Sequence, residues 1–363
     1  MPVKEESFRI GAGRYLQGRG YLARLGEEVC RLGRAPLIVG GKTALELTRE
    51  RAEASVRAAC KKYEFEIHRG TCNDERAKEL AAHARAEGYD VIVGIGGGVI
   101  CDFAKLIAHY AELPVINVPT SSATCAAYTP LSVRYSPTGE TVGSLHYGRE
   151  VSCVLVDTDV VSRQPVRLFL AGVFDALAKF VEIKQRFNIG ATEYPIGLDY
   201  AYVMSKYSFD LLSEKSDRGI EDMANGIESA DVDNLIFTAI AATGVISGIA
   251  RGSNQTALAH KFYEITRTLF VESARPYLHG EIVGVGLLLQ NHFNGEEENN
   301  RELLRLMKKY NMPYRVSDVG VERSEAIFEE YCERLFRSTA IDDKTEEARQ
   351  GIRRSMRYLW EVE

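Results

Sequence analysis

VIVGIGGGVICDFAK, residues 91–105, decides how the chain is read: an apolar run ends in three glycines and passes straight into helix-like text. Gly96, Gly97 and Gly98 carry no Cβ, so this turn can take positive φ and let a ligand approach the main chain. Val99, Ile100, Phe103, Leu106 and Ile107 follow at helical spacing. A strand, a glycine turn and a helix N-terminus in that order form a place where an anion such as a phosphate is stabilised.

The pattern is not the ordinary dinucleotide fingerprint. Counted as G-x-G-x-x-G from Gly94, the last position is Val99, and about twenty residues further on, where that fingerprint has a carboxylate, the chain reads INVPT. No Gly-Lys-Ser/Thr follows, so it is not a Walker loop either. A tight turn in an α/β domain also accounts for three glycines, so the phosphate is favoured here without being identified.

Working outward from this stretch, short apolar runs alternate with charged helical ones. PLIVGG precedes a helix over 43–62, YEFEIHRG one over 74–87 and YDVIVGIGGG one over 99–111, and PVINVPT and CVLVD complete the set. That alternation predicts a mainly parallel, Rossmann-like sheet covered by helices, with ligands at the carboxyl ends of its strands. Residues 130–149, around Ser-Pro-Thr-Gly, read as a hairpin. After Pro165 the text turns helical throughout, as in RLFLAGVFDALAKFVEIKQRF and DNLIFTAIAATGVISGIA. We expect an α/β domain over 1–162 and an all-α domain over 163–363, with the boundary in SRQPVR.

Composition narrows the partners. The 363 residues are 45% hydrophobic and 26% charged with a net charge of −6, and acids and bases are interspersed. No basic face suits a nucleic-acid backbone, and small metabolites are the expected partners. Seven cysteines without C-x-x-C spacing suit reduced thiols in a cytoplasm. MPVKEESFRI lacks the pattern of a signal peptide. No uninterrupted apolar span approaches membrane length, so no membrane partner is expected.

Three further places carry chemistry. PTSSATCAAYTPLSVRYS, residues 119–136, clusters small hydroxyls that can bond phosphate, ribose or substrate, or merely cap a strand-to-loop transition. Asp175 stands in LAGVFDALAKFVE. Asp175, Lys179 and Glu182 would share a helix face as a solvated ion pair, but the crowding of apolar residues over 168–178 argues for a buried acid that needs a partner or a metal. His260 in QTALAHKFYEI and His279 in RPYLHGEIVGVG could complete a three-ligand site with an open position. Spacing alone does not establish it.

Taken together these motifs resemble the iron-containing alcohol dehydrogenase and glycerol dehydrogenase superfamily. GGGVICDFAK resembles its GGGxxxDxAK signature, PTSSATCAAYTPLSVRY its hydroxyl segment, AGVFDALAK its metal-binding aspartate segment, and ALAH with YLHG its two metal-binding histidines, all in family order. The resemblance implies a dehydroquinate synthase-like fold with the active site in the cleft. It also implies hydride transfer between a small alcohol and NAD or NADP, and a homo-oligomer. Zn²⁺ is preferred over another divalent metal, on Asp175, His260 and His279. The cofactor would be held by Gly41, Gly96, Gly97, Gly98, Asp102, Lys105, Thr120, Ser121, Thr124, Thr129, Leu131 and Tyr135. The iron-dependent branch uses a further histidine with no counterpart here.

The departures concern the substrate and the cofactor. Cys125 stands where polyol-oxidising members have an aspartate, so it joins the candidate catalytic residues. The ATCAAYTPLSV text is similar to an offshoot of hydroxycarboxylate dehydrogenases, which makes a 2-hydroxy acid an alternative to a polyol. Gly40 and Gly41 replace a ribose-binding aspartate, which removes a repulsion against the 2′-phosphate of NADP. Tyr263 and Glu264 break the H-x-x-H-N-G text after His260, and Phe174 replaces a small residue before Asp175. Two alternatives accompany the dehydrogenase. A sugar-phosphate cyclase would need more cations than Lys105, Lys179 and Arg134. The other is a non-catalytic ligand-binding relative.

Overall fold

The computed structural model describes residues 10–136, 140–188, 196–250, 255–342 and 344–363. Six parallel strands form one sheet in the order β1-β8-β5-β4-β2-β3. They are β1 (Tyr15–Gly18), β2 (Pro36–Gly41), β3 (Glu64–His68), β4 (Val91–Gly96), β5 (Val115–Pro119) and β8 (Cys153–Asp157). β2, β4, β5 and β8 are almost entirely buried, as their unbroken apolar text requires of a sheet covered on both faces. Helices α1 (Leu25–Leu32), α2 (Lys42–Ala59), α3 (Asp74–Glu87) and α4 (Gly98–Ala111) link them. Asn73 caps α3 by accepting from the Arg76 amide at 3.0 Å, and Gly88 ends it at a φ of 72°.

The strand order reverses between β2 and β4, which pair directly with Gly40 opposite Ile95. Gly41 and the glycine turn therefore end neighbouring strands at the switch point, where such sheets bind ligands. β6 (Leu131–Tyr135) and β7 (Thr141–His146) form the expected hairpin, antiparallel with an irregularity at Arg134/Tyr135. Residues 137–139 of its turn lie outside the described residues. β1 was not legible as a strand: RYLQG is short and half-polar, and β1 adds only to the sheet edge beside β8.

Beyond Pro165 every described element is helical. α5 (Thr158–Val161) leads to α6 (Val166–Asn188), α7 (Ile196–Ala224), α8 (Ala230–Phe237), α9 (Thr243–Ile249), α10 (Leu258–Leu269), α11 (Val271–Ala274), α12 (His279–Phe293), α13 (Glu297–Lys309), α14 (Glu325–Arg337) and α15 (Glu346–Glu361). A π-helical turn over Thr238–Ala242 joins α8 to α9.

The chain forms two compact units. Residues 9–165 make one together with 221–245, and residues 166–220 with 246–363 make the other. In the first, the 221–245 excursion packs on the edge strand: the Gln17 side-chain amide donates to Asp233 O at 2.8 Å, and Tyr15 meets Phe237 edge-on at 5.7 Å. Ala230–Ile249 is long and apolar enough to cross a membrane, with a mean hydropathy of 1.6 over 18 of its residues, but 56% of that window is buried within the fold, as in a core helix, and Asp231, Asp233 and Asn234 interrupt its apolar run. All seven cysteines are unbridged.

In the second unit, two glycines let α12 approach its neighbours closely. A Cβ on Gly280 would lie 1.8 Å from Ala171 O of α6, and one on Gly286 would lie 2.7 Å from Ala259 O of α10. The bulk of Phe174 is accommodated in the same way, since a Cβ on Gly284 would lie 2.8 Å from its ring. These contacts set the three helices that carry Asp175, His260 and His279.

Candidate functional site

The glycine-turn end of the first unit is built from β4 and α4. None of the three glycines of the turn takes positive φ, so the reason given from sequence is corrected: Gly96 and Gly98 are needed for space. A Cβ on Gly96 would strike Ile100 at 2.6 Å, one on Gly98 would lie 2.9 Å from Thr124 Oγ1, and one on Gly97 would lie 3.4 Å from Ser121 Oγ. Gly97 caps α4 without a side-chain acceptor, so the first amides of this 14-residue helix keep their donor capacity for a ligand. Thr120 N donates to Gly96 O at 3.0 Å, and Ser122 is pinned through both its amide and its hydroxyl by Gln164 at 2.9 and 2.8 Å. The fold thus gathers Gly96, Gly97, Gly98, Thr120, Ser121 and Thr124 into one cradle. Gly41 adjoins it, with Ile100 as the nearest neighbour of a Cβ there, at 3.6 Å.

Asp102, Lys105, Thr129 and Leu131 form a separate cluster. The Lys105 ammonium is buried and donates to Ala126 O at 2.6 Å, Thr129 O at 2.8 Å and Leu131 O, while pairing with Asp102 Oδ1 at 2.9 Å. Asp102 Oδ2 accepts from Val133 N at 3.0 Å, and burial pushes this carboxyl's pKa up. These side chains fasten the hydroxyl loop and the hairpin to α4. Arg134 bonds Asp74 at 3.1 Å, and Tyr135 donates its amide to Cys72 O at 2.8 Å. Cys125 opens the short 3₁₀ turn Cys125–Ala127, which Thr124 caps at Ala126 N.

The second unit brings Asp175, His260 and His279 together with their ligand atoms all within 4.8 Å of one another. Nε2 of His260 and Nε2 of His279 stand 3.3 and 3.5 Å from the same oxygen, Asp175 Oδ1. That oxygen is buried and, among the described residues, has no hydrogen-bond partner, with the Lys179 ammonium paired to it at 3.3 Å. Two imidazole nitrogens focused on one buried carboxylate oxygen fit a divalent ion with mixed N/O ligands, and Zn²⁺ suits that set.

Glu182 completes the site. Fully buried, it accepts from His260 Nδ1 at 2.5 Å, His260 N at 2.9 Å and Ala257 N at 2.8 Å. Holding the proton on Nδ1 leaves Nε2 as the lone pair facing Asp175, which is how an outer carboxylate prepares a histidine for a metal. At the start of α12, Arg167 of α6 donates to the buried Glu281 carboxylate at 2.6 Å, and that carboxylate also accepts from Leu278 N at 2.7 Å, fixing the turn from which His279 projects. Tyr263 meets the His279 ring edge-on at 4.3 Å, so this departure from the family text walls the site.

Electrostatics agree with this role. Burial alone would raise the Asp175 carboxyl, but the Lys179 ammonium and the two imidazoles hold it well below the usual range. Burial opposes a charge on His260, yet the facing Glu182 raises its pKa overall. Burial lowers that of His279.

The sequence reading counted Lys179 only among the cations available to a phosphate, and Glu182 only as a neighbour of Asp175 on the helix face. Both are buried, so the solvated-face alternative is wrong: one and two turns beyond Asp175, they face the site. His292 lies elsewhere, bonded to Ser355 at 2.9 Å and stacked on Tyr358.

A glycine turn at a sheet switch point and a cluster of two histidines and one aspartate that could hold a metal ion are the features expected of a nucleotide- and metal-dependent enzyme. The sequence profile of the iron-containing alcohol dehydrogenases matches residues 12–158. A glycerol dehydrogenase of Thermotoga maritima is 30% identical over 318 residues, covering 86% of this chain and 85% of its own length. Hydroxycarboxylate dehydrogenase A of Escherichia coli is 28% identical, covering 70% of each chain. The crystal structure of a glycerol dehydrogenase from Schizosaccharomyces pombe shares the fold, with a TM-score of 0.82 at 22% identity over 99% of this chain and 91% of that one. The chain belongs to the iron-containing alcohol dehydrogenase family. It is a metal-dependent, nicotinamide-linked oxidoreductase acting on alcohols.

Proposed function

We propose that the protein interconverts a small polyol or 2-hydroxy acid with its ketone or 2-oxo acid. It would work as a cytoplasmic homo-oligomer, with Zn²⁺ on Asp175, His260 and His279 and with NAD or NADP on the glycine cradle. The observation that carries this reading is the convergence of two imidazole Nε2 atoms on one buried carboxylate oxygen, with Glu182 behind one of them.

When bound, the divalent ion supplies Lewis-acid polarisation of the substrate oxygen, and the nicotinamide supplies hydride exchange. The chain's own residues do the rest. Asp175 stays ionised, Glu182 keeps the His260 proton on Nδ1, and Tyr263 and Phe174 exclude water around the ligands. Gly97 and Gly98 admit the pyrophosphate beside Ser121 and Thr124. Gly41 presents no carboxylate to a ribose, which supports use of NADP as well as NAD.

The test is metal analysis of the purified protein followed by a screen of glycerol, propanediols and 2-oxo acids with NAD(H) and NADP(H). The reading predicts turnover that a chelator abolishes and a divalent metal restores. Metal-loaded protein inert toward every pair would overturn it.

A further inference from the structure

Cys30 and Cys60 are brought together by the way α1 meets α2. A Cβ on Gly26 would lie 2.8 Å from Ala59 Cβ, so the two helices approach almost backbone to backbone, and the Gly26 amide donates to Ser55 Oγ at 2.9 Å. One turn further along α1, on the same face, Cys30 Sγ donates to Ala59 O at 3.5 Å. Cys60 is the next residue, closing α2 with its amide on Val56 O at 2.7 Å, and its thiol is hydrogen-bonded with that of Cys30. We infer that this pair is a modification site: a low-molecular-weight disulfide such as oxidised glutathione converts it reversibly to a Cys30–Cys60 disulfide that ties α1 to α2.

Accessibility assigns the two roles. Cys30 is half-buried and Cys60 is 6% exposed, so a reagent in solution reaches Cys30 first. The Cys30 thiolate attacks one sulfur of the reagent: a mixed disulfide forms, the reagent's S–S bond breaks, and one glutathione leaves with the proton that Cys30 gave up. The Cys60 thiolate then attacks the Cys30 sulfur and expels the second glutathione, which takes the Cys60 proton. Two thiols are oxidised and one disulfide is reduced. Burial and the neighbouring Cys30 thiol push Cys60 up to about 11, which leaves it slow toward reagents in solution. Its contact with Cys30 makes the second step intramolecular, where a small thiolate fraction suffices.

Four other thiols are set differently. Cys72 and Cys101 have Asp102 and Lys105 as neighbours, Cys153 has Glu28, and Cys332 has Arg353 and Glu329. All four are at most 4% exposed. The Cys30–Cys60 pair combines an accessible sulfur with a second one in contact with it, which is what exchange with an external disulfide requires.

The experiment incubates the intact chain with oxidised glutathione, blocks the remaining thiols and maps its peptides without reduction. A linked Cys30–Cys60 peptide is expected, lost again on adding dithiothreitol. The thermal unfolding midpoint should rise by about 5 °C, as for closing a loop of about 30 residues in a chain of this size. Cys60→Ser should stop with glutathione on Cys30, and Cys30→Ser should leave Cys60 unmodified. Wild-type protein that stops at glutathionylated Cys30, or leaves Cys30 unreacted, overturns the inference without recourse to a variant. So does a linked product whose midpoint falls, because a bridge that destabilises is not one that the packing of α1 on α2 holds ready.

Discussion

Replacing Glu182 by glutamine tests the geometry behind the metal centre with almost no change in volume. The carboxylate is surrounded by donors only: His260 Nδ1 at 2.5 Å on one oxygen, and two backbone amides at 2.8 and 2.9 Å on the other. An amide offers one acceptor and one donor, so every orientation creates a mismatch. With its nitrogen toward His260, it donates to Nδ1 and moves the ring proton to Nε2, the atom needed as ligand. With its nitrogen toward the backbone, it faces two N–H groups that lose their acceptor, at about 1–3 kcal/mol. Loss of such an outer partner costs roughly 10–100-fold in metal affinity, or about 1.4–2.7 kcal/mol. Competition against a chromophoric chelator measures this directly. Metal affinity of E182Q within about twofold of wild type would refute the role assigned to Glu182.

Other elements make separate predictions. Gly98→Ala puts a Cβ 2.9 Å from Thr124 Oγ1 and should raise the KM for the nicotinamide cofactor roughly tenfold, or about 1.4 kcal/mol. Metal content should stay unchanged, and adding Thr124→Ala should recover part of the loss. Gly280→Ala meets a backbone oxygen that cannot swing aside, Ala171 O at 1.8 Å. Thermal unfolding should show a loss at or beyond the usual upper figure for overpacking, about 3 kcal/mol, together with poorer metal retention. His68 is stacked on Phe103 at 3.7 Å, and burial lowers its pKa. The unfolded chain therefore takes up a proton near pH 6.5 that the folded chain resists, so this residue's contribution to stability is lost as pH falls through that value. Denaturant melts from pH 7.5 down to 5.5 should show His68→Gln gaining on wild type as pH falls. A constant difference would contradict the assignment.

The nucleotide half was legible because local and tertiary demands agree there. Val91–Gly96 is apolar because the strand is central, and Gly96 and Gly98 are glycine because Ile100 and Thr124 crowd any Cβ there. The helices over 74–87 and 99–111 came out within a residue of α3 and α4.

The apolar crowding over 168–178 already argued for a buried Asp175, and the structure buries it. What local pattern could not decide is the fate of Lys179 and Glu182 at i+4 and i+7, which look like a solvated ion-pair face until the packing of α10 and α12 on α6 turns that face inward. Lys105 and Asp102, which fit a cofactor motif in sequence, also fasten the hydroxyl loop and the hairpin to α4, Lys105 through three carbonyls and Asp102 through Val133 N. That commitment depends on carbonyls 21 to 26 residues away, which no local pattern records.

The central claim is that one divalent metal sits on Asp175, His260 and His279. Elemental analysis of the purified protein, alongside Asp175→Asn and His260→Ala, tests it most directly. The account predicts one equivalent per chain in the wild type and near-complete loss in both variants, with activity lost in step, while His292→Ala keeps its metal. Metal retained by D175N or H260A, or full activity in metal-free protein, would contradict it.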